Sequence, residues 1–175
     1  RKNADLKFYE FGNCYYYNAE NKKEDDSLAA YSEDYRLSIW LTGDKHAQSW
    51  AVTDQKSTVY ELKAYVENSL RRMGIQTANL LQKEEKNDLY TQAISICTRS
   101  GKELAIYGIV NPKLAARLDV DQAVYFAEIH WSQVLRELRK HTVKYAELPR
   151  YPSVRRDLAL LLDKAITFAQ LEKIA

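Results

Sequence analysis

The feature that most restricts the fold is a pair of apolar segments joined by a very short turn. Leu89–Thr98 and Leu104–Val110 are rich in apolar and β-branched residues, and only a stretch around Ser100–Gly101 separates them. Strands joined so closely run antiparallel, because a parallel connection needs a crossover of a dozen or more residues. The sequence therefore predicts a hairpin and an antiparallel sheet around it.

Three further segments have the character of strands. Lys7–Tyr17 is rich in aromatic residues, Tyr35–Thr42 alternates apolar and polar side chains, and Gln122–Trp131 is an apolar run with aromatics. The stretch Asn18–Asp34 is polar and predicts a connection. Five strands with irregularly placed helices, and without strict strand–helix alternation, indicate an α+β fold: an antiparallel sheet flanked by helices.

Residues 58–73 carry the strongest helix pattern. Thr58 and Glu61 form a capping box, and Gly74 stands where a left-handed cap belongs. The apolar stripe predicts a helix packed on one face of the sheet; its members are Val59, Leu62, Val66, Leu70 and Met73. Shorter helices are predicted over 113–118, after Pro112, and over 133–140, with Ser132 as the cap.

The C-terminal part of the chain has a different pattern. Two prolines three residues apart predict an extended linker over Thr142–Pro152, and Arg156–Asp163 has the character of an apolar strand. Thr167 then opens a helix, with Gln170 completing a capping box. The strand and helix have too few local partners to bury their apolar side chains, so we expect them to belong to a larger unit.

Composition excludes several functional classes. The net charge of +2 is far below that of a typical free-standing nucleic-acid binder. Five scattered glycines form no phosphate-binding loop, and the two cysteines, Cys14 and Cys97, indicate neither a disulfide framework nor a metal site. The longest apolar run, Leu104–Val110, is too short to span a membrane, and no signal segment follows Arg1.

Two features leave alternatives open. The thirteen tyrosines suit either base stacking or packing at sheet faces and interfaces, and packing is the more economical account. Seven basic residues against two acidic ones between Arg136 and Arg156 indicate either phosphate contact or a solvated surface. His130, within a strand, is interpreted as a hydrogen-bonded structural imidazole rather than a catalytic one.

Three stretches in matching order resemble the β subunit of bacterial phenylalanyl-tRNA synthetase. FYEFGNCY at Phe8–Tyr15 looks like a strand of that family, and the segment Tyr107–Leu135 is similar to its hairpin and following strand and helix. YPSVRRDLALLLD at Tyr151–Asp163 is similar to the start of its C-terminal ferredoxin-fold anticodon-binding domain. The resemblance covers nearly the whole chain.

The resemblance implies a cytoplasmic enzyme of two α and two β subunits, which attaches phenylalanine to tRNA(Phe) using ATP and magnesium. Its active site belongs to α, and the β module keeps a class II synthetase-like fold without catalysis. Residues 1–146 would be most of that module, truncated at its N-terminal end. Residues 147–175 would be a linker and the first strand and helix of a truncated anticodon domain. That strand, deprived of its neighbours, is expected to dock on its own chain or on a second copy.

No catalytic, cofactor-binding or metal-binding residue is carried over to this chain. A working class II site needs an arginine-bearing strand motif and a G-x-G-x-x-R segment for ATP, and the sequence has neither. The resemblance matches only Arg155 and Arg156 to basic positions of the anticodon domain, either as tRNA contacts or as anchors of the strand; with Arg150 from the basic stretch they are the candidate tRNA contacts. The alternative is a stand-alone RNA- or protein-binding α+β domain without enzymatic activity; the abrupt end of the sequence favours the first interpretation.

Overall fold

The chain forms one six-stranded sheet in which every neighbouring pair is antiparallel. A computed structural model describes residues 3–139, 145, 147, 151–172 and 174. It divides into two units, Arg1–Val143 and Lys144–Ala175. The strands are β1 (Leu6–Tyr17), β2 (Tyr31–Thr42), β3 (Leu81–Glu85), β4 (Tyr90–Cys97), β5 (Glu103–Val110) and β6 (Val124–His130), in the order β1-β2-β6-β5-β4-β3. The predicted antiparallel α+β fold is confirmed.

The described residues contain four α-helices: α1 (Val59–Arg72), α2 (Pro112–Ala116), α3 (Trp131–Leu138) and α4 (Phe168–Glu172). Helices α1 and α3 both pack against β2, β5 and β6. They share one apolar core with one face of the sheet, whose most buried members include Leu41, Leu62, Val66, Leu70, Leu104, Ile129 and Val134. The predicted packing of helix 58–73 on one face of the sheet is therefore confirmed, because the apolar stripe of α1 enters this core.

Both ends of α1 follow the predicted signals, with one difference. Thr58 Oγ1 accepts a hydrogen bond from the Glu61 amide at 3.4 Å, and Gly74 has the left-handed φ of 96°. The Glu61 carboxylate is engaged elsewhere: it accepts from Lys7 Nζ at 2.7 Å and from the Tyr65 hydroxyl at 3.0 Å. A long-range ion pair between α1 and β1 thus replaces the local half of the capping box.

Two exposed parts of the sheet were not predicted as strand. β2 begins at Tyr31, within the stretch predicted as a polar connection, and Tyr31 pairs with Tyr17 across the β1–β2 hairpin. β3 (Leu81–Glu85, LQKEE) was not predicted; it pairs with β4 at the sheet edge, and all five of its residues are exposed. Neither segment covers the core, so neither shows the apolar alternation that marks a strand.

Helix α3 begins earlier than predicted, and Ser132 does not cap it. The N-cap residue is His130, and the helix starts at Trp131. Ser132 Oγ instead accepts a hydrogen bond from the Tyr35 amide at 3.2 Å, which connects α3 to β2. A serine within the first turn satisfies an amide of the neighbouring strand here, a tertiary contact that has no signature in the local sequence.

The second unit contains α4 but not the predicted strand. Residues Arg156–Asp163 are irregular, and none of the described residues pairs with them. A strand is stable only when a neighbour satisfies its backbone groups. One half of the predicted capping box of α4 is formed: Gln170 Oε1 accepts from the Thr167 amide at 2.8 Å, whereas the Thr167 hydroxyl donates to the same Oε1 at 3.2 Å. Most of the predicted linker Thr142–Pro152 lies outside the described residues.

Among the described helices, none combines the length and the apolar character that crossing a bilayer requires. The longest, α1, has 14 residues.

Candidate functional site

The face of the sheet opposite α1 and α3 is the candidate functional site. The β2–β6 register places three cross-strand pairs on it: Arg36 with His130, Ser38 with Glu128, and Trp40 with Phe126. Because side chains alternate along a strand, these residues point away from the helix-covered core. This open face has an aromatic half and a charged half.

The aromatic half is a row of stacked rings. Trp40 stacks on Phe126 with ring centroids 4.0 Å apart and an interplanar angle of 24°. Tyr90 extends the row beyond Phe126 at 6.0 Å, and Phe8 lies 6.2 Å from Trp40 on the other side. Close stacking of this kind contributes about 0.5–1.5 kcal/mol per pair beyond area burial. The rings of this row pack against one another and cover this half of the open face.

A cavity of about 1020 Å³ lies against this row. Its lining is mostly apolar and includes Trp40, Leu89 and Leu114; among the described lining residues the charged ones are Asp119, Asp121 and the cation Arg117. A triphosphate needs several donors or cations around it. The cavity therefore fits an apolar group far better than a nucleotide.

The charged half is centred on Arg36. Its Nε lies 2.7 Å from Asp34 Oδ2, and its Nη1 is ion-paired with Glu128 and lies 3.2 Å from His130 Nε2. The side chain of Arg36 is only 18% exposed, so its guanidinium is largely withdrawn from solvent. An arginine held by two carboxylates in this way has few donors left for a ligand.

Glu103 joins the same network from β5. His130 Nε2 lies 3.1 Å from Glu103 Oε1, and the Ser95 hydroxyl donates to the same carboxylate. Ser95 also contacts the buried Cys97, with Oγ and Sγ 3.3 Å apart. The hydrogen-bonded imidazole inferred for His130 is thus observed, and the network around it joins residues from several strands.

The pKa of Glu103 is lowered from its ordinary value. The main cause is the hydrogen bond from His130 to the carboxylate; burial acts in the opposite direction, and the hydrogen bond from Ser95 lowers the pKa further. Glu61 on α1 also has a lowered pKa: burial alone would raise it, but the hydrogen bonds from Lys7 and Tyr65 outweigh that effect. Both carboxylates are therefore ionised in the folded chain at neutral pH.

These shifts predict that the chain loses stability in acid. A carboxyl group with a lowered folded-state pKa stabilises the fold above its unfolded pKa of about 4.3, and this contribution is lost as pH falls through the folded value. Glu103→Gln removes one such group, so we expect the free energy of unfolding to decline less between pH 7 and pH 3 than in the wild type. Urea titrations at several pH values measure this; equal declines in both proteins would contradict it.

The charged side chains of this half are engaged with one another, which disfavours binding of a nucleotide or a metal ion. Asp34 and Glu128 bind the guanidinium of Arg36, so few of its donors are left for a triphosphate. Each carboxylate is already engaged by Arg36, His130 or Ser95. Across residues 3–139 and the described part of the second unit, no group of three or more potential metal ligands is found.

Two of the three predicted tRNA contacts lie within the described residues. Arg150 lies outside the described residues. Arg155 and Arg156 are exposed on the irregular segment of the second unit, where Arg155 Nε lies 3.9 Å from Asp157 Oδ1. The alternation along β2 predicts that Arg36 lies on the strand face away from the core. It does not specify how β2 pairs with other strands, and this pairing is what brings Arg36, Glu128 and His130 together.

Comparison with known proteins places this fold and sequence in one family. The family profile described as "Phenylalanyl tRNA synthetase beta chain CLM domain" matches residues 1–131. The chain is 50% identical over 175 residues to the phenylalanine–tRNA ligase beta subunit of Bacteroides thetaiotaomicron, an alignment that covers 100% of this chain and 21% of the relative. The corresponding subunit of Porphyromonas gingivalis is 44% identical with the same coverage, and that of Listeria monocytogenes is 30% identical over 174 residues.

Solved structures agree at the level of the fold. A pyrrolysyl-tRNA synthetase from Desulfitobacterium hafniense superposes with a TM-score of 0.52 and 15% identity, over 78% of this chain and 42% of that one. This likeness supports the expected class II synthetase-like architecture and carries no information about substrate. The chain spans about a fifth of the length of its curated relatives. The chain therefore belongs to the phenylalanyl-tRNA synthetase β chain family, and its residues 1–131 match the region described as the CLM domain.

Proposed function

We propose that this chain is a non-catalytic structural module of the β subunit of a phenylalanine–tRNA ligase. The whole enzyme, with two α and two β subunits and its active site in α, would attach phenylalanine to its tRNA in the cytoplasm, using ATP and magnesium. Relatives named as this subunit match the entire chain at 44–50% identity, which supports the assignment. They are about five times longer, which favours a module of a larger protein over a stand-alone binding domain.

The state of Arg36 carries the proposal that the module is non-catalytic. It is the only arginine on any of the six described strands, and Asp34 and Glu128 both bind it. An arginine that stabilises transferring phosphate must present its donors to the substrate. Here the guanidinium of Arg36 binds Glu128 instead, and this ion pair connects β2 to β6.

Arg36→Lys in the β subunit, assayed with α, tests this role. Lysine keeps the charge but cannot form the planar paired contacts of a guanidinium, so an arginine that bound ATP would lose about 100-fold or more in adenylate formation. We expect the rate of pyrophosphate exchange to stay within about twofold of the wild type, since uninvolved sites have small effects. The melting temperature should fall, because the two carboxylates lose the guanidinium that they share.

Arg99→Lys is the matched control for that experiment. Arg99 lies in the β4–β5 turn and donates to Asn79 Oδ1 at 2.9 Å on the surface. The Arg99→Lys substitution should leave both the pyrophosphate exchange rate and the melting temperature unchanged. A 100-fold loss of exchange in Arg36→Lys, with Arg99→Lys normal, would show that the open face is catalytic.

For residues 147–175 we propose a linker and the beginning of an anticodon-binding domain, with Arg150, Arg155 and Arg156 as candidate tRNA contacts. The exposure of Arg155 and Arg156 leaves both available to phosphate. Removing one arginine–phosphate interaction should reduce the salt dependence of tRNA binding by about one unit of slope. Filter binding of tRNA at several salt concentrations tests this on the ligase that carries Arg155→Ala and Arg156→Ala. A salt dependence with the same slope as the wild type would exclude both residues as phosphate contacts.

A further inference from the structure

β6 passes directly into α3 at residues 129–132, the β6–α3 junction, and His130 lies within it. This residue ends β6 and is the N-cap residue of α3, with a φ of −75° and a ψ of 81°. An N-cap side chain commonly accepts a hydrogen bond from the first turn of its helix, and the imidazole makes no such bond. Its Nε2 atom lies instead 3.1 Å from Glu103 Oε1 on β5. The side chain at the junction is therefore directed to the sheet.

A β-bulge brings Glu103 within reach of His130. The register between β4 and β5 shifts between Ile96 and Cys97, so that β5 carries Leu104 as an extra residue there. Leu104 is fully buried in the core, and Glu103 lies on the open face. Without the extra residue, the alternation along β5 would direct Glu103 toward the core. Bulges often change the direction of a side chain, and the one changed here is the partner of His130.

The Nε2 atom of His130 faces one hydrogen-bond acceptor and one donor. The acceptor is the Glu103 carboxylate, and the donor is Arg36 Nη1, which lies 3.2 Å away. When Nε2 carries a proton, it donates to Glu103, and the guanidinium keeps its bonds to the carboxylates around it. When Nε2 carries none, it can only accept, which favours Arg36 and sets a lone pair against the Glu103 oxygen. The protonation of the imidazole therefore determines how strongly β6 is bound to β5 here.

Charged groups face His130 from every element around it. They either belong to its network or line the cavity of about 400 Å³ beside the imidazole, and those on the described residues are Glu33, Asp34, Arg36, Lys102, Glu103, Glu128 and Arg136. Carboxylates, lysine and arginine ordinarily keep their charge between pH 5 and pH 8, whereas histidine ordinarily changes its charge in that range. The pKa of Glu103 is moreover lowered, mainly by the hydrogen bond from His130. Near neutral pH, His130 is thus the member of this group whose charge changes.

We propose that the contact between His130 and Glu103 is a pH-dependent switch that holds the β6–α3 junction closed when the imidazole is protonated. The imidazolium donates a charge-assisted hydrogen bond to the ionised carboxylate, which is about twice as strong as the bond from a neutral ring. As the pH rises and the imidazole loses its charge, this bond weakens and Arg36 competes for Nε2. The junction then opens more often, while the fully buried Val134 keeps α3 in the core. The stabilisation is present at mildly acid pH and is lost toward alkaline pH.

Hydrogen–deuterium exchange of the full-length subunit, at about pH 5.5 and about pH 8.5, tests the switch. The quantity compared is the protection of the amides in peptides that span β6 and α3. Protection is the exchange rate of the unstructured chain divided by the measured rate at the same pH, which removes the intrinsic effect of pH on exchange. We expect these amides to be about fivefold more protected at the lower pH, because a hydrogen bond between charged groups opens less often than a neutral one. Equal protection at both pH values, or greater protection at the higher one, would overturn the proposal.

Three variants assign the pH dependence to this contact. His130→Gln keeps an N–H donor but does not titrate, so the protection of β6 and α3 should differ by less than about twofold between the two pH values. Glu103→Gln removes the charged acceptor and should have the same effect. His46→Gln is the matched control: it replaces an exposed histidine between β2 and α1 and should keep the wild-type pH dependence. A pH dependence that survives both His130→Gln and Glu103→Gln, or that His46→Gln abolishes, would show that the switch is elsewhere.

Discussion

Replacing Gly108 with alanine is expected to lower the free energy of unfolding by about 3 kcal/mol or more, among the largest effects of a single methyl group. Gly108 lies in β5 at the middle of the sheet, between Ala93 on β4 and Phe126 on β6. A Cβ atom added there would overlap the Gln92 carbonyl oxygen and would lie 2.8 Å from Ala93 Cα. Both are backbone atoms, so no side-chain rotation can relieve the overlap, and the β4–β5 pairing must shift.

Gly12→Ala is the matched control for this prediction. Gly12 is also a strand glycine, in β1, but a Cβ atom at this position would have no neighbour within 4 Å. Alanine there should be neutral or stabilise the fold by up to about 1 kcal/mol, because it restricts the unfolded chain. Urea denaturation of both variants measures the contrast. A Gly108→Ala protein as stable as Gly12→Ala would contradict the close approach of β4 and β5.

Leu62→Ala is expected to cost about 2–5 kcal/mol of folding free energy. Leu62 is fully buried on the sheet-facing side of α1, within the core that α1 and α3 share with β2, β5 and β6. The substitution removes apolar packing and leaves a cavity that the surrounding strands can only partly fill. For a domain of this size each kcal/mol corresponds to about 2–4 °C in melting temperature, so thermal unfolding resolves the effect easily.

Leu118→Ala controls for the loss of leucine itself. Leu118 is 78% exposed in the segment after α2, and its truncation should change stability by less than about 0.5 kcal/mol. If Leu62→Ala and Leu118→Ala were equally mild, α1 would not pack on the sheet as described. If both were severe, the segment after α2 would have a role that its exposure does not indicate.

The elements that were predictable from sequence are those whose signals are local. The cap of α1 at Thr58, its left-handed end at Gly74 and the β4–β5 turn at Gly101 all involve residues within a few positions of each other. The exposed edge strand β3 was not predictable, because a polar segment without a buried face has no apolar alternation. Arg156–Asp163 was predicted as a strand from its composition, yet a strand also requires a neighbour that composition does not supply.

The candidate site was less predictable than the fold, because it depends on register. Arg36, Glu103 and His130 are separated by up to 94 positions, and each alone is an ordinary polar residue on a strand. The order β2-β6-β5 and the pairing of Arg36 with His130 convert them into one network. The family resemblance correctly indicated a class II synthetase-like module, but no family motif singled out this charge cluster.

Equilibrium binding of ATP is the measurement that tests the central claim most directly. With magnesium present, the isolated β subunit should bind no ATP at millimolar concentrations, and the assembled ligase should bind one ATP per α–β pair. A second site per pair, or binding to β alone that Arg36→Lys abolishes, would contradict a non-catalytic role for this module.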